Sequence, residues 1–226
     1  MAIAYDSSSQ GSALSGSGLS WNWAHTITGA NPVLIVAINV AVGPGVASVS
    51  WGSQVMTALI GGAQLGLWYL GNPHTGTDNI NVVQTGGGTP SFGFATSYTG
   101  ANLTQPDSSN VGFISSGQVL TVATTVISSN CWTVGFAEYD TNGGSPISAW
   151  TSNKTDRQSQ TFVNGTFKSI AVLSDSNATV SPGSNGFTWT AVTSNSGPQF
   201  NSYGLVVSLF PVQPPASSSN FLLASL

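Results

Sequence analysis

The sequence predicts an all-β protein, an antiparallel β-sandwich. Short runs rich in β-branched and aromatic residues recur along its 226 residues, punctuated by Gly, Pro, Asn and Ser. Several of these runs alternate apolar and polar residues with a period of two. No heptad and no apolar stripe of 3.6-residue period interrupts the series. Many short strands with frequent turns are the pattern of a sandwich or barrel.

The expected strands follow in order. Leu19–Thr28 places Trp23 and His25 on one face. Val33–Val42 is apolar on both sides, as a central strand covered on both faces should be. Ala47–Trp51 and Gln54–Leu59 form a tight hairpin about Gly52-Ser53. Leu65–Leu70 sends Trp68 and Tyr69 to opposite faces, one to the core and one to the surface or an interface. The stretch "GNPHTGTD" then turns the chain, with Asn72-Pro73 opening the turn and Gly76 free to take positive φ. Asn79–Gln84 follows, then the breaker "QTGGGTPS" and Ser91–Thr99. Gln118–Ile127 sets Leu120, Val122, Thr124 and Val126 on one side. Trp132–Tyr139, Ser145–Thr151, Gly165–Leu173 and Gly186–Val192 continue the series. Tyr203–Phe210 closes it, with Tyr203, Leu205, Val207 and Leu209 on one side. Beyond Pro211 the pattern stops. The chain therefore divides into a sandwich domain over 1–211 and an arm over 212–226, in which a Pro/Ser-rich linker precedes the apolar tag "NFLLASL". No internal repeat is evident.

Only 4% of residues are charged, against about 25% in an ordinary globular protein. Neutral polar groups must supply the solubility, and such a surface packs against other copies with few ions to desolvate. The net charge is −4, with Lys154, Arg157 and Lys168 as the only cations. A phosphate backbone needs a basic patch, so nucleic acid is not an expected partner. Cys131 is alone, which excludes an intrachain disulfide. The opening "MAIAYDSSSQ" has neither the cationic nor the apolar region of a signal peptide. The longest apolar run, "PVLIVAINVAVG", is about half a membrane span and contains Asn39. A composition suited to the outside world, without an export signal or disulfide, fits a virion protein made in the host cytoplasm.

The candidate chemistry is sparse. His74 and Asp78 have serines nearby, but no G-x-S-x-G elbow accompanies them. A turn role is expected, with Asp78 hydrogen-bonding its own backbone. His25 is expected to be buried and bonded to a backbone carbonyl. Glu138 and Asp140 share a strand face about 6–7 Å apart, a separation compatible with glycoside hydrolysis, although Asp140 opens the turn-like "DTNGG". Asp140 and Asn142 are the candidates for a weak calcium site. "TSNKTDRQSQ" reads as a solvated loop. The glycines at 86–88 precede no helix, so they do not form a phosphate cradle. No catalytic residue, metal site or cofactor is assigned.

The motif "W-x-H-T" at Trp23–Thr26, the strand "VLIVAINV" and the hairpin "V-S-W-G-x-x-M-T" occur together with "L-W-Y-L-x-N-P-x-x-G-T" at Leu67–Thr77 and the closing "YGLVVSLFP". From Ala4 to Pro211 the chain resembles a jelly-roll-like β-sandwich domain found in uncharacterised phage virion proteins and bacterial surface proteins. These motifs are structural, so they speak to fold more than to function. The resemblance and the composition together imply a non-enzymatic structural protein of a bacteriophage particle. A capsid decoration protein on the particle exterior is the first choice, a tail or fibre subunit the second. Its partners would be copies of itself and other virion proteins such as a major capsid protein, with no membrane involved. The competing expectation is a carbohydrate-binding or adhesive module with surface glycans as partners. Coplanar exposed aromatic rings would favour that alternative, and buried tryptophans would favour assembly. In the arm, Phe221, Leu222, Leu223 and Leu226 are the expected assembly contacts.

Overall fold

The computed structural model of the chain describes residues 2–13, 19–40, 45–61, 65–86, 91–115, 117–142, 147–164, 167–193 and 201–212. Among the described residues the structure is all-β, and every ladder is antiparallel. The first half of the chain supplies β1 (Ala4–Ala13), β2 (Ser20–Ile27), β3 (Pro32–Val40), β4 (Val46–Trp51), β5 (Gln54–Val55), β6 (Thr57–Gly61), β7 (Leu65–Gly71), β8 (Gly76–Gln84) and β9 (Ser91–Thr99). The second half supplies β10 (Ser108–Ile114), β11 (Val119–Val126), β12 (Trp132–Asn142), β13 (Ile147–Ser152), β14 (Thr155–Asn164), β15 (Phe167–Asp175), β16 (Gly183–Thr193) and β17 (Ser202–Leu209).

The expected antiparallel sandwich forms, and it forms twice. A five-stranded sheet, β1-β9-β3-β7-β6, covers a four-stranded sheet, β2-β8-β4-β5. A second five-stranded sheet, β10-β17-β12-β15-β14, covers the three-stranded sheet β11-β16-β13. The two five-stranded sheets then pack face to face, giving four layers. In each half the first strand lies beside the last, and the last beside the third, which is jelly-roll winding.

The halves are repeats of one design. The last residue of β2 pairs with the first of β8 (Ile27 with Gly76), as the last of β11 pairs with the first of β16 (Val126 with Gly183). Bulges interrupt β6 between Ala58 and Ile60 and β14 between Asp156 and Gln158, at the same place against β7 and β15. Asn31 and Asn130, both with positive φ, sit just ahead of β3 and β12. Asn72 and Asn177, the other non-glycine residues with positive φ among those described, follow β7 and β15. Gly11 and Gly112 occupy equivalent places on β1 and β10. A Cβ at either would collide with the side chain of the facing strand, Trp23 or Val122. Across the middle, β1 packs on β14 and β10 on β6, so exchanging the halves turns one contact into the other. The relation is an approximate two-fold axis.

Three apolar cores separate the four layers. One lies within the first sandwich, around Trp51, Ile38 and Ile80. Another lies within the second, around Trp189, Phe187 and Tyr139. The third joins the two five-stranded sheets and includes Ile35, Phe94, Phe136 and Val207. Strand β3 is buried at every residue because it has a core on each face.

Three strands differ from the sequence expectation by appearing where none was expected: β1, β10 and β14. The expected strand Gln54–Leu59 is two pieces, β5 and β6, that change sheets around Met56. Strand β12 continues through Asp140, which pairs with Ser169, so "DTNGG" does not end it there. "TSNKTDRQSQ" is the end of β13 and most of β14, not a solvated loop, because its residues find ladder partners on β16 and β15.

Val36 and Val207 are fully buried in different cores. Asn at either position should cost about 1–3 kcal/mol by burying an unpaired amide. Thermal melts of V36N and V207N check this, and both should fall well below that of the wild type.

Candidate functional site

The most concentrated polar chemistry lies where the two sandwiches meet. Asp175 ends β15 and is fully buried. Arg157, the bulged residue of β14, grips it with both branches of its guanidinium, Nε to Oδ2 at 2.7 Å and Nη2 to Oδ1 at 3.0 Å. The Tyr98 hydroxyl, from β9 of the first half, donates to the same carboxylate at 2.9 Å. The Arg157 guanidinium also lies over the Tyr5 ring, 3.9 Å from its centroid, and donates to Asn177 Oδ1 at 2.7 Å. Gln158 donates to Ser8 across the same seam. Fork-to-fork geometry makes this the strong form of an ion pair. Burial pulls the arginine down, but the bonds and charge of Asp175 outweigh it and leave its pKa raised. Burial, and then the adjacent Asp175 charge, push the Tyr98 phenol well above its ordinary value. The equivalent positions at the other end of the seam, Leu59 and Tyr69, are partly buried members of the shared core.

A second constellation surrounds His25. The ring is buried, with Nδ1 2.9 Å from Ser9 Oγ and Nε2 3.4 Å from Ser7 Oγ. Ser7 meets Ser97, which donates to Asp6 at 2.7 Å. Trp23 Nε1 also donates to Ser9. Asp6 accepts from the backbone N–H groups of Thr28 and Gly29, both at 3.1 Å, and from the Thr28 hydroxyl. The second half repeats this clasp. Asp107 accepts from the N–H groups of Ile127 and Ser128, from the Ser128 hydroxyl, and from Ser208. There Thr124 stands where His25 stands, and it bonds Ser108 as His25 meets Ser7.

The shared task of the two networks is to satisfy buried polar groups where β2 or β11 crosses to the next sheet. The histidine is buried as expected, but serine hydroxyls replace the expected carbonyl, because β1 lies directly beside it. Burial lowers the His25 pKa, the Asp6 charge offsets part of this, and the result is about 4. For both Asp6 and Asp107, burial raises the carboxyl, and their several hydrogen bonds together outweigh it and leave the pKa lowered.

The remaining sequence candidates do not converge. His74, in the turn between β7 and β8, pairs at 3.2 Å with Asp78, which lies within β8 and not in the expected turn; both are partly exposed. The His74 ring stacks on Trp51 at 5.2 Å. Asp78 accepts from the N–H of the adjacent Asn79, but both are residues of β8, because the strand starts at Gly76, ahead of the expected Asn79. Trp68 packs in the first sandwich, while Tyr69 packs against the core shared by the two. Glu138 is buried on β12 and accepts from Ser169 at 2.8 Å. The side chains of Asp140 and Asn142 lie outside the described residues, as do Phe221, Leu222, Leu223 and Leu226. Among the described residues no group of His, Cys, Asp and Glu is arranged to hold a metal ion. Sequence reasoning missed the Arg157–Asp175–Tyr98 cluster, whose members are far apart in the chain. A lone arginine in a chain with so few cations was the available signal.

Removing the arginine in R157A should cost about 3–5 kcal/mol, because it strands a buried carboxylate. Urea unfolding measures it, and R157K should recover only part, since an ammonium does not make the bidentate pair. A second expectation concerns pH. His25 titrates near 6.5 when unfolded and near 4 when folded, so the unfolded chain binds the extra proton between these values. Stability should therefore fall as pH drops through that window, by on the order of 3 kcal/mol in total. H25Q should flatten this part of the curve. Below it, Asp6 and Asp107 add a further loss as pH falls from the unfolded value of 3.8 through their lowered folded values.

No family model matches the chain, and neither a curated protein nor a solved structure is significantly similar to it.

Proposed function

We propose that the protein is a non-enzymatic structural component of a bacteriophage particle. It is a capsid decoration protein seated on the exterior, beside a major capsid protein and copies of itself. The observation that carries this reading is the placement of the tryptophans. All seven, Trp21, Trp23, Trp51, Trp68, Trp132, Trp150 and Trp189, are buried. They serve the cores and are not available as stacking platforms for sugar rings. Jelly rolls recur in both capsid and lectin domains, so this placement favours the first over the second. The exposed ring pair Phe113 and Tyr203 is tilted by 36° with centroids 4.7 Å apart, packed on itself instead of laid side by side.

Two further observations support it. The clasping acids Asp6 and Asp107 and the Arg157–Asp175 pair are engaged in holding loops and sheets. The outer face of the four-stranded sheet presents Ser20, Asn22, Thr26 and Asn79, and that of the three-stranded sheet Thr121, Thr125 and Thr190. Neutral faces of this kind pack against protein without stripping ions of water. The arm adds a reason for attachment. Burying three of the side chains of Phe221, Leu222, Leu223 and Leu226 in a neighbouring subunit would contribute roughly 4–8 kcal/mol before ordering costs.

Cryo-electron microscopy of particles carrying the full chain, and of particles exposed to a chain lacking Pro214–Leu226, tests both parts. Density for four stacked sheets on the exterior is expected with the full chain. The truncated chain should keep its melting temperature and lose its place on the particle. Particles devoid of the chain overturn the assignment, and unchanged occupancy by the truncated chain overturns the role of the arm.

A further inference from the structure

Strand β1 is held by polar contacts far more than by buried apolar surface. Tyr5 is the one large hydrophobic side chain in "AYDSSSQGSA". Beyond its ladder with β9, the strand grips the first sandwich through Ser7 and Ser9, which meet His25, and through Asp6, which takes up the N–H groups of Thr28 and Gly29. Its counterpart β10 carries Val111, Phe113 and Ile114. A strand secured by few apolar contacts belongs to the parts of a fold that open first.

The hydrogen bonds around His25 run in one direction. Trp23 Nε1 can only donate, and it donates to Ser9 Oγ at 3.0 Å. Ser9 Oγ also lies 2.9 Å from His25 Nδ1. With the ring neutral and its hydrogen on Nε2, the Ser9 hydroxyl donates to Nδ1, and Nε2–H faces Ser7 Oγ at 3.4 Å. Ser7 in turn donates to the Thr26 carbonyl, and Ser97 to Asp6. Every hydrogen in this chain then has an acceptor. The other neutral tautomer would turn Nδ1–H against Ser9 and take away the acceptor of the Ser9 hydrogen. A proton added to Nδ1 does the same, and it brings a buried charge besides.

The charged and titratable groups around the ring do not relieve this. Asp6, on β1, favours the charged ring, but burial outweighs it, and its two oxygens are engaged by Thr28, Gly29 and Ser97. Asp78, the ladder partner of His25 on β8, is paired with His74. Trp51 contacts both histidines, T-shaped to His25 at 5.8 Å and stacked on His74 at 5.2 Å. In the second half Thr124 occupies the place of His25 and bonds Ser108, so the matching contact of β10 with β11 does not titrate.

We infer that His25 is an acid-sensitive latch: its protonation releases β1 from β2 while the remainder of the fold stays closed. The inference does not rest on the particle assignment. A released β1 carries Ser7 and Ser9 away from the ring, and it leaves β9 as the outermost strand of its sheet. With β1 in place His25 titrates near 4, and in water near 6.5. The closed state is therefore fully favoured above pH 6.5 and loses ground as pH falls toward 4. The open fraction should rise by about tenfold per pH unit between these values, and on the order of 100-fold by pH 4.

Hydrogen exchange of the full chain at pH 7 and pH 4, corrected for intrinsic rates, tests it. The β1 amides should lose protection by that factor, and dilute urea should barely change them. The β12 amides, which exchange when the whole chain unfolds, should stay better protected and respond steeply to urea. H25Q should hold β1 protection constant across this range. H74Q, which removes the other histidine, should leave the response in place. Nitrogen-15 NMR of the wild-type ring covers the case in which H25Q folds poorly, and at pH 7 it should find the hydrogen on Nε2. A β1 strand whose protection ignores pH overturns the proposal. So does one that exchanges together with β12 and with the same urea dependence, one that responds in H25Q as in the wild type or loses its response in H74Q, or a neutral ring with its hydrogen on Nδ1.

Discussion

The constraint on which this fold depends is that two sheets are covered on both faces. Strands β3, β9, β12 and β17 each contribute side chains to a sandwich core on one side and to the shared core on the other. Alternation cannot help them, since neither face meets water. They are built from Val, Ile, Leu, Ala and Phe, with small hydroxyl residues such as Ser97, Thr133 and Ser208 that bond to neighbouring groups. Ionised groups are excluded unless their partners come with them. A charged content of 4% is therefore partly a consequence of architecture. Four layers leave an unusually large share of strand positions away from solvent.

Where charge does enter the interior, it is tied at once. Asp175 is tolerated because Arg157, Tyr98 and the Asn177 backbone N–H occupy its two oxygens. Such a pair adds little net stability over an apolar equivalent, and it joins neighbouring strands of one sheet; the contacts that cross to the other sandwich are the Tyr98 hydroxyl on Asp175 and the Tyr5 ring under Arg157. Asp6 and Asp107 act more locally. Each takes up the backbone N–H groups that the chain exposes as it leaves one sheet for the next, which keeps those crossovers tight.

How much could be read in advance depended on where a strand sits. The alternating Leu120, Val122, Thr124 and Val126 and the continuous apolar run after Asn31 declare a half-covered and a fully covered strand directly. The three strands that went unread, β1, β10 and β14, are all outermost in the inner sheets. One side of each is wet and the other meets only part of a neighbour, so "AYDSSSQGSA" and "TDRQSQTFVN" carry no apolar period. The repeat was written in the chain as "DSSSQG" at Asp6–Gly11 and "DSSNVG" at Asp107–Gly112. In a sequence so rich in serine this likeness has little weight until the two aspartates are seen gripping equivalent loops. Arg157 read as solvated because its partners Asp175, Asn177 and the Tyr5 ring arrive only through folding. His74 was legible as a turn residue from Asn72-Pro73 beside it, but its contacts with Trp51 and Gln54, and the place of Asp78 within β8, arrive only with the fold.

The approximate two-fold axis between the halves is formally that of a dimer, yet both members belong to one polypeptide. A dimer of single jelly rolls would separate on dilution. Here the connection between β9 and β10 holds the second member at a fixed and high effective concentration, so the shared core is indifferent to how much protein is present. Covalent union also lifts the demand for self-complementarity. In a true symmetric pair, an arginine introduced at one end of the seam must appear at both. In the joined chain one end carries Arg157 and Asp175 while the other carries Leu59 and Tyr69. The two members are free to differ, and the molecule has distinguishable ends.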